Sequence, residues 1–153
     1  MAAATGVSVR LPARASALAN GTISIALDYD DTHFVYIVHP SVAIFPAALA
    51  AAEEMKGSAD DVIHAFLLGA EATCRIGMVL GRDHYDAGFH QTATSGALGA
   101  TIAAARPYRP DRSAIRTPLW RWRSRALVLL SHSGTMGAPI NACPAASYAR
   151  QVR

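Results

Sequence analysis

Small apolar residues set the rhythm of this chain, recurring at helical spacing in four stretches separated by polar segments. The first, from about Ala15 to Leu27, reads SALANGTISIAL and predicts a helix despite Gly21. It runs into the polar segment DYDDTH at 28–33. A second helix, SVAIFPAALAAAEEM, is predicted to follow His39-Pro40-Ser41 and to end at Lys56-Gly57, with Gly57 as the residue of positive φ after its last turn. Pro46 lies inside this run, so the helix is expected either to begin near it or to kink there.

Ser58 and Asp61 have the S-x-x-D spacing of a capping box, which predicts the start of a third helix. Val62, Phe66, Leu67, Ala70, Cys74 and Met78 then form its expected core stripe, and Gly81 its expected end. The segment 82–94 reads as a polar connector, and SGALGATIAAA at 95–105 as a fourth helix suited to close helix–helix approach. From Pro107 the pattern loses its period: Pro107, Pro110 and Pro118 interrupt a segment rich in arginine.

A length of 153 residues suits one domain with a real core, and 52% hydrophobic against 16% charged residues excludes a disordered tail. Alanine and glycine outweigh β-branched residues, which favours packed helices over sheet. No unbroken apolar run reaches membrane-spanning length, so no membrane partner is expected. The opening residues lack the apolar segment of a secretory signal. Cys74 and Cys143 are too few for a disulfide framework or a zinc site, and a reduced, cytoplasmic setting fits them. The net charge of +3 is concentrated in one run of arginines after residue 105. With Trp120 and Trp122 interleaved, that run is the only feature suggesting a polyanion, and no nucleic-acid partner is expected from it.

Two polar clusters carry candidate chemistry. Asp28, Asp30, Asp31, His33 and His39 lie within twelve residues. They admit three readings: a metal site, an acid–base group, or a solvated loop capping the next helix. His84, Tyr85, Asp86 and His90, followed by Thr92 and Thr94, form the second cluster, which would share a pocket with the first if the fold brought them together.

Taken in order, LANGTISIALDYDDTH, HPSVAIFPAALAAAEEM, GAEATCRIGMVLG and HYDAGFHQTATSGALGATIAAAR resemble the signature of the MmgE/PrpD family across about residues 17–106. The GTMGAPINACPAAS stretch within 131–147 is similar to the family's next landmark. The resemblance implies a mainly α fold: part of the family's helical domain, without its second, α+β domain. It also implies a lyase that needs no metal or other cofactor and acts on a small tricarboxylate, by dehydrating 2-methylcitrate or decarboxylating cis-aconitate. Homodimers are the implied assembly. Matched position by position, Asp28, Asp30, Thr32, His39 and His90 fall on the family's pocket. His39 and His90 are the expected proton-transfer groups, Asp28 and Asp30 their catalytic companions, and Thr32, Asp31 and His33 the substrate-binding residues.

The chain departs from this pattern in ways that lead us to expect an incomplete enzyme. Helices before LANGT and the second domain are expected to be missing, leaving Phe45, Leu67, Val79 and Leu80 poorly covered and the monomer marginal. Gln91 stands where the family usually has proline, which is expected to loosen that loop, and Ala138 stands where it usually has lysine. The expected function is therefore a remnant of a tricarboxylate lyase, inactive alone. The alternatives are half of a split lyase completed by another chain, or an anionic-polymer-binding module built on the Arg/Trp segment.

Residues 107–130 match nothing in the family, yet their number suits its spacing. A compensated pair of reading-frame shifts would produce this, and reading the gene in its other frames should then restore a family-like helix. If no frame does so, the segment has simply diverged.

Overall fold

The computed structural model describes residues 1–6, 8–27 and 29–113. Asp28, most of the arginine-rich segment and the stretch containing Ala138 lie outside these residues. The described chain is mainly helical, with α1 at Ala13–Ile25, α2 at Pro40–Glu54, α3 at Ala59–Asp86 and α4 at Gln91–Tyr108. Two short strands, β1 (Ala2–Ala3) and β2 (Arg10–Leu11), pair antiparallel ahead of them. Asn20 ties this hairpin to α1: its side-chain amide donates to the Ala3 carbonyl at 3.1 Å, and its oxygen accepts from the Thr5 amide at 2.8 Å. Strands of two residues leave no periodicity, so the sequence carries no sign of them.

Helix α4 is central, with 14 of its 18 residues buried. Its composition explains the position, because alanine, glycine, serine and threonine leave no bulky side chain to hold a neighbour away. Helix α2 lies parallel to it at a constant offset. The His39 amide donates to Thr92 Oγ1 at one end, Ala43 Cβ abuts Gly96 in the middle, and the Tyr108 hydroxyl donates to Glu54 at the other end. Helix α3 lies antiparallel on α4. Gly69 faces Gly99 and Ala103, Thr73 faces Gly99, and Gly81 faces Gln91.

The inward stripe of α3 is Ala65, Gly69, Thr73 and Gly77, not the expected series of larger residues. Val62, Phe66 and Ala70 pack at its margin, while Leu67 is 55% exposed and Met78 62%. The two stripes are neighbours on the helix, and backbone proximity to α4 selects the one that is small. Tyr36 fills the notch left by Gly77. Phe45, Leu67 and Val79 are exposed as anticipated, whereas Leu80 is half-buried.

Local signals set most boundaries. The Ser58–Asp61 capping box forms in full, and its bonds from the Ser58 amide and hydroxyl lower the Asp61 pKa. Helix α2 begins at Pro40, the first-turn position that suits proline, and runs through Pro46 without a break. The positive φ after α2 falls on Lys56, not on the predicted Gly57. Gly81 does interrupt α3, at φ 65° and ψ −173°, but the helix resumes and continues to Asp86. By length and composition α3 meets the requirements of a membrane span, although one of its faces is sealed against α4.

A Cβ at Gly69 would meet the Gly99 carbonyl at 2.7 Å and Ala103 Cβ at 2.8 Å. Gly69→Ala is expected to destabilise the chain by about 1–3 kcal/mol through overpacking, despite alanine's better helix propensity. A far-UV circular dichroism melt reads the effect, and an unchanged or raised midpoint would refute the close α3–α4 contact.

Candidate active site

The parallel pairing of α2 and α4 has a direct consequence, because the residue preceding each helix is a histidine. His39 precedes α2 and His90 precedes α4, and neither side chain caps its own helix. The His39 amide reaches Thr92 Oγ1 at 3.1 Å, so the two helix starts touch. Their partial positive charges therefore add in one place, an arrangement suited to a polyanion.

The segment 29–39 folds over these helix starts and holds His39 from one side. His39 Nδ1 lies 3.0 Å from the Asp31 carbonyl, 3.3 Å from Thr32 Oγ1 and 3.4 Å from Asp30 Oδ2. A carbonyl only accepts, so in neutral His39 the proton belongs on Nδ1. That leaves the lone pair on Nε2, the nitrogen able to take a proton from a ligand. The Asp30 side chain, only 6% exposed, stands ready to stabilise the imidazolium that would result. Asp31 also serves the helix itself, because its Oδ1 accepts from the Ser41 amide at 3.0 Å and so caps α2 from ten residues away.

His33 is fixed differently. Its amide donates to the Val38 carbonyl at 2.9 Å, and its ring packs on Tyr36 with centroids 4.5 Å apart. Ile37, at φ 53°, makes the tight reversal between these partners. Tyr36 is buried, and desolvation followed by the neighbouring Cys74 thiol raises its hydroxyl pKa. It is therefore a neutral phenol, and nothing in its sequence context singles it out.

His90 is 8% exposed. Burial, then repulsion from His39, pushes its pKa down to about 4. The ring is thus neutral near pH 7, and its Nε2 has no hydrogen-bond partner. His33 Nδ1 and Gln91 Oε1 are likewise buried and unpartnered. Unpartnered buried atoms are uncommon. All three lie on the segments that come together at this end of the bundle.

Gln91 overturns one expectation. It does not loosen the turn before α4. It is fully buried, and Nε2 donates to the Gly81 carbonyl at 2.8 Å. His84 braces the same turn. Thr94 Oγ1 donates to the carbonyls of His90 and Gln91, so His84 Nε2 must donate to Thr94, at 2.9 Å. Burial lowers the His84 pKa and favours that neutral form.

Asp30, Asp31, Thr32 and His39 are thus in mutual contact, with His90 and Thr92 across the helix starts and His33 behind Tyr36. Asp28 lies outside the described residues. Among those described, no group of three or more side chains is arranged to hold a metal ion. A cleft of about 350 Å³ lies at the opposite end of α2 and α4, beside Lys56, Asp61 and Arg109. Asp61 there is engaged by the α3 cap, and none of the histidines lines it. The candidate site is therefore taken at the histidine-bearing helix starts.

The MmgE/PrpD N-terminal domain matches residues 2–140 of the chain as a family model. No curated protein gives a significant match.

The low pKa of His90 predicts a pH dependence of stability. The unfolded chain binds this proton near pH 6.5 and the folded chain only near 4. Stability is therefore fully present above about pH 6.5 and is lost as the pH falls toward 4, by on the order of 3 kcal/mol. Melting midpoints measured from pH 4 to 8 should show this slope, and His90→Gln should flatten it. An equally steep slope in the variant would exclude His90 as its source.

Proposed function

Because the chain belongs to the MmgE/PrpD family, we propose that the His39–His90 site is the helical-domain share of a lyase site for a small tricarboxylate. One observation carries this reading: two histidines at two abutting helix starts, one held by Asp30 and Asp31, the other buried, neutral and unpartnered at Nε2. The converging helix starts would hold substrate carboxylates. With Nδ1 protonated and held, His39 Nε2 would take the carbon-bound proton, while Asp30 offsets the charge that develops.

His90 suits the opposite step. Its low pKa comes from lost solvation and from repulsion by His39, and a bound polyanion counters that repulsion. Substrate binding would thus raise the His90 pKa and let it gain a proton from solvent. In a dehydration, that proton would pass to the leaving hydroxyl, so that water departs as the carbon–carbon double bond forms. In a decarboxylation, a protonated histidine would instead deliver its proton to the carbon that carbon dioxide leaves. Thr32, Asp31 and His33 would bind the substrate; Asp28, the other expected catalytic carboxylate, lies outside the described residues. The family chemistry needs no cofactor for these steps.

We expect this chain by itself to turn over little or no substrate. Ala138 replaces the cation that would grip a carboxylate, and alanine cannot supply that charge-assisted bond. The chain would then be an inactive relative of the lyases, in the cytoplasm if its thiols stay reduced. A split lyase, completed by a second chain or a second copy, is favoured by the uncovered apolar residues of α3, among them Val79 at 87% exposure. Cross-complementation with a separately expressed C-terminal domain separates these two readings.

Titrating the full chain with 2-methylcitrate or cis-aconitate, followed by the histidine ring resonances, tests the site. His39 and His90 should shift together, the His90 pKa should rise, and turnover should be slight. Ala138→Lys should tighten binding about tenfold or more, the value of one charge-assisted contact. Binding that survives His39→Ala and His90→Ala unchanged would remove the proposal.

A further inference from the structure

We propose that Gln91 is a positioning residue for His90, a brace that locks the break in α3 against the first turn of α4 and so fixes the place of the histidine ring. The reason begins at Gly81. Its φ of 65° and ψ of −173° are the one non-helical pair inside α3. A Cβ there would meet nothing within 4 Å, so conformation and not space calls for glycine. The break turns the Gly81 carbonyl away from the helix ladder, and the side chain of Gln91 takes it at 2.8 Å. A carbonyl can only accept, so the amide nitrogen of Gln91 must face Gly81 and its orientation is fixed. Proline at this position, as in the family pattern, could not make the bond.

Beyond the break, the resumed helix grips the same turn a second time, through His84 and Thr94 to the carbonyls of His90 and Gln91. His90 is therefore the residue immediately before a doubly tied turn. Its ring has no side-chain partner at Nε2, so its position depends on the backbone that carries it. The two ties hold the end of α3 against the start of α4, next to the buried His90. The titratable groups around it are His39 at the start of α2, Asp30 in contact with His39, and His84 on α3.

This inference gains its catalytic meaning from His90 as a proton-transfer group, but its test needs no substrate. In the ligand-free full chain, the His90 ring should titrate near 4 by NMR. Gln91→Leu removes the bond and should raise that midpoint by about 1–2 units as solvent enters. Gln91→Pro, which suits the first residue of a helix, should do the same with the fold intact. A His90 midpoint unchanged in either folded variant overturns the proposal, as does an ordinary midpoint in the unmodified chain. Independently of any variant, the side-chain amide protons of Gln91 should exchange slowly with solvent, and exchange at the rate of a free amide would also overturn it.

Discussion

Helices α2 and α4 run side by side at a separation that only alanine, glycine and small hydroxyl residues permit. That contact organises everything else in the described chain. Together with α3 it buries α4 on nearly all sides, and it aligns the starts of two helices. Dispersion forces in such an interface come from many close backbone and methyl contacts rather than from a few large side chains. The cost is intolerance: a Cβ at Gly96 would stand 2.9 Å from that of Ala43, and across the α3–α4 contact the places of Cβ atoms at Gly69 and Gly99 are already taken.

Alignment of helix starts turns a packing rule into a chemical one. Two residues 51 positions apart, His39 and His90, each precede one of the paired helices, so the pairing brings their surroundings together. The same geometry divides their electrostatics. His39 sits among a carboxylate, a carbonyl and a hydroxyl, whereas His90 sits in a dry position and stays neutral. Small residues thus serve both the core and the site, since anything larger between α2 and α4 would part the histidines.

The polar segment between α1 and α2 has three readings in the sequence, and the fold shows how two of them coexist. Asp31 caps α2 as a loop residue would, while its carbonyl and the Asp30 carboxylate lie against His39 Nδ1, the arrangement on which the proposed acid–base reading rests. Tyr36 and Gln91 are hidden from sequence reasoning for different reasons. Tyr36 belongs to an exposed-looking aromatic run in which its neighbours Phe34 and Val35 do face solvent. Gln91 stands out only as a replacement for proline, and its role depends on a carbonyl ten residues earlier that a glycine sets free.

What the sequence determined by itself was local. It specified four helices, the Ser58–Asp61 cap, a break at Gly81 that it took for the helix end, the two polar clusters and membership of the MmgE/PrpD family, because capping, backbone freedom and residue order act over a few neighbours. What only the tertiary structure decided was which stripe of α3 turns inward, how far α3 and α4 extend toward each other, and that the two histidines stand at adjoining helix starts. Periodicity marks a helix as having an apolar side, and α3 offers two adjacent ones. The choice falls to the small stripe because backbones approach closest there, a constraint set by a partner helix some thirty residues further along the chain.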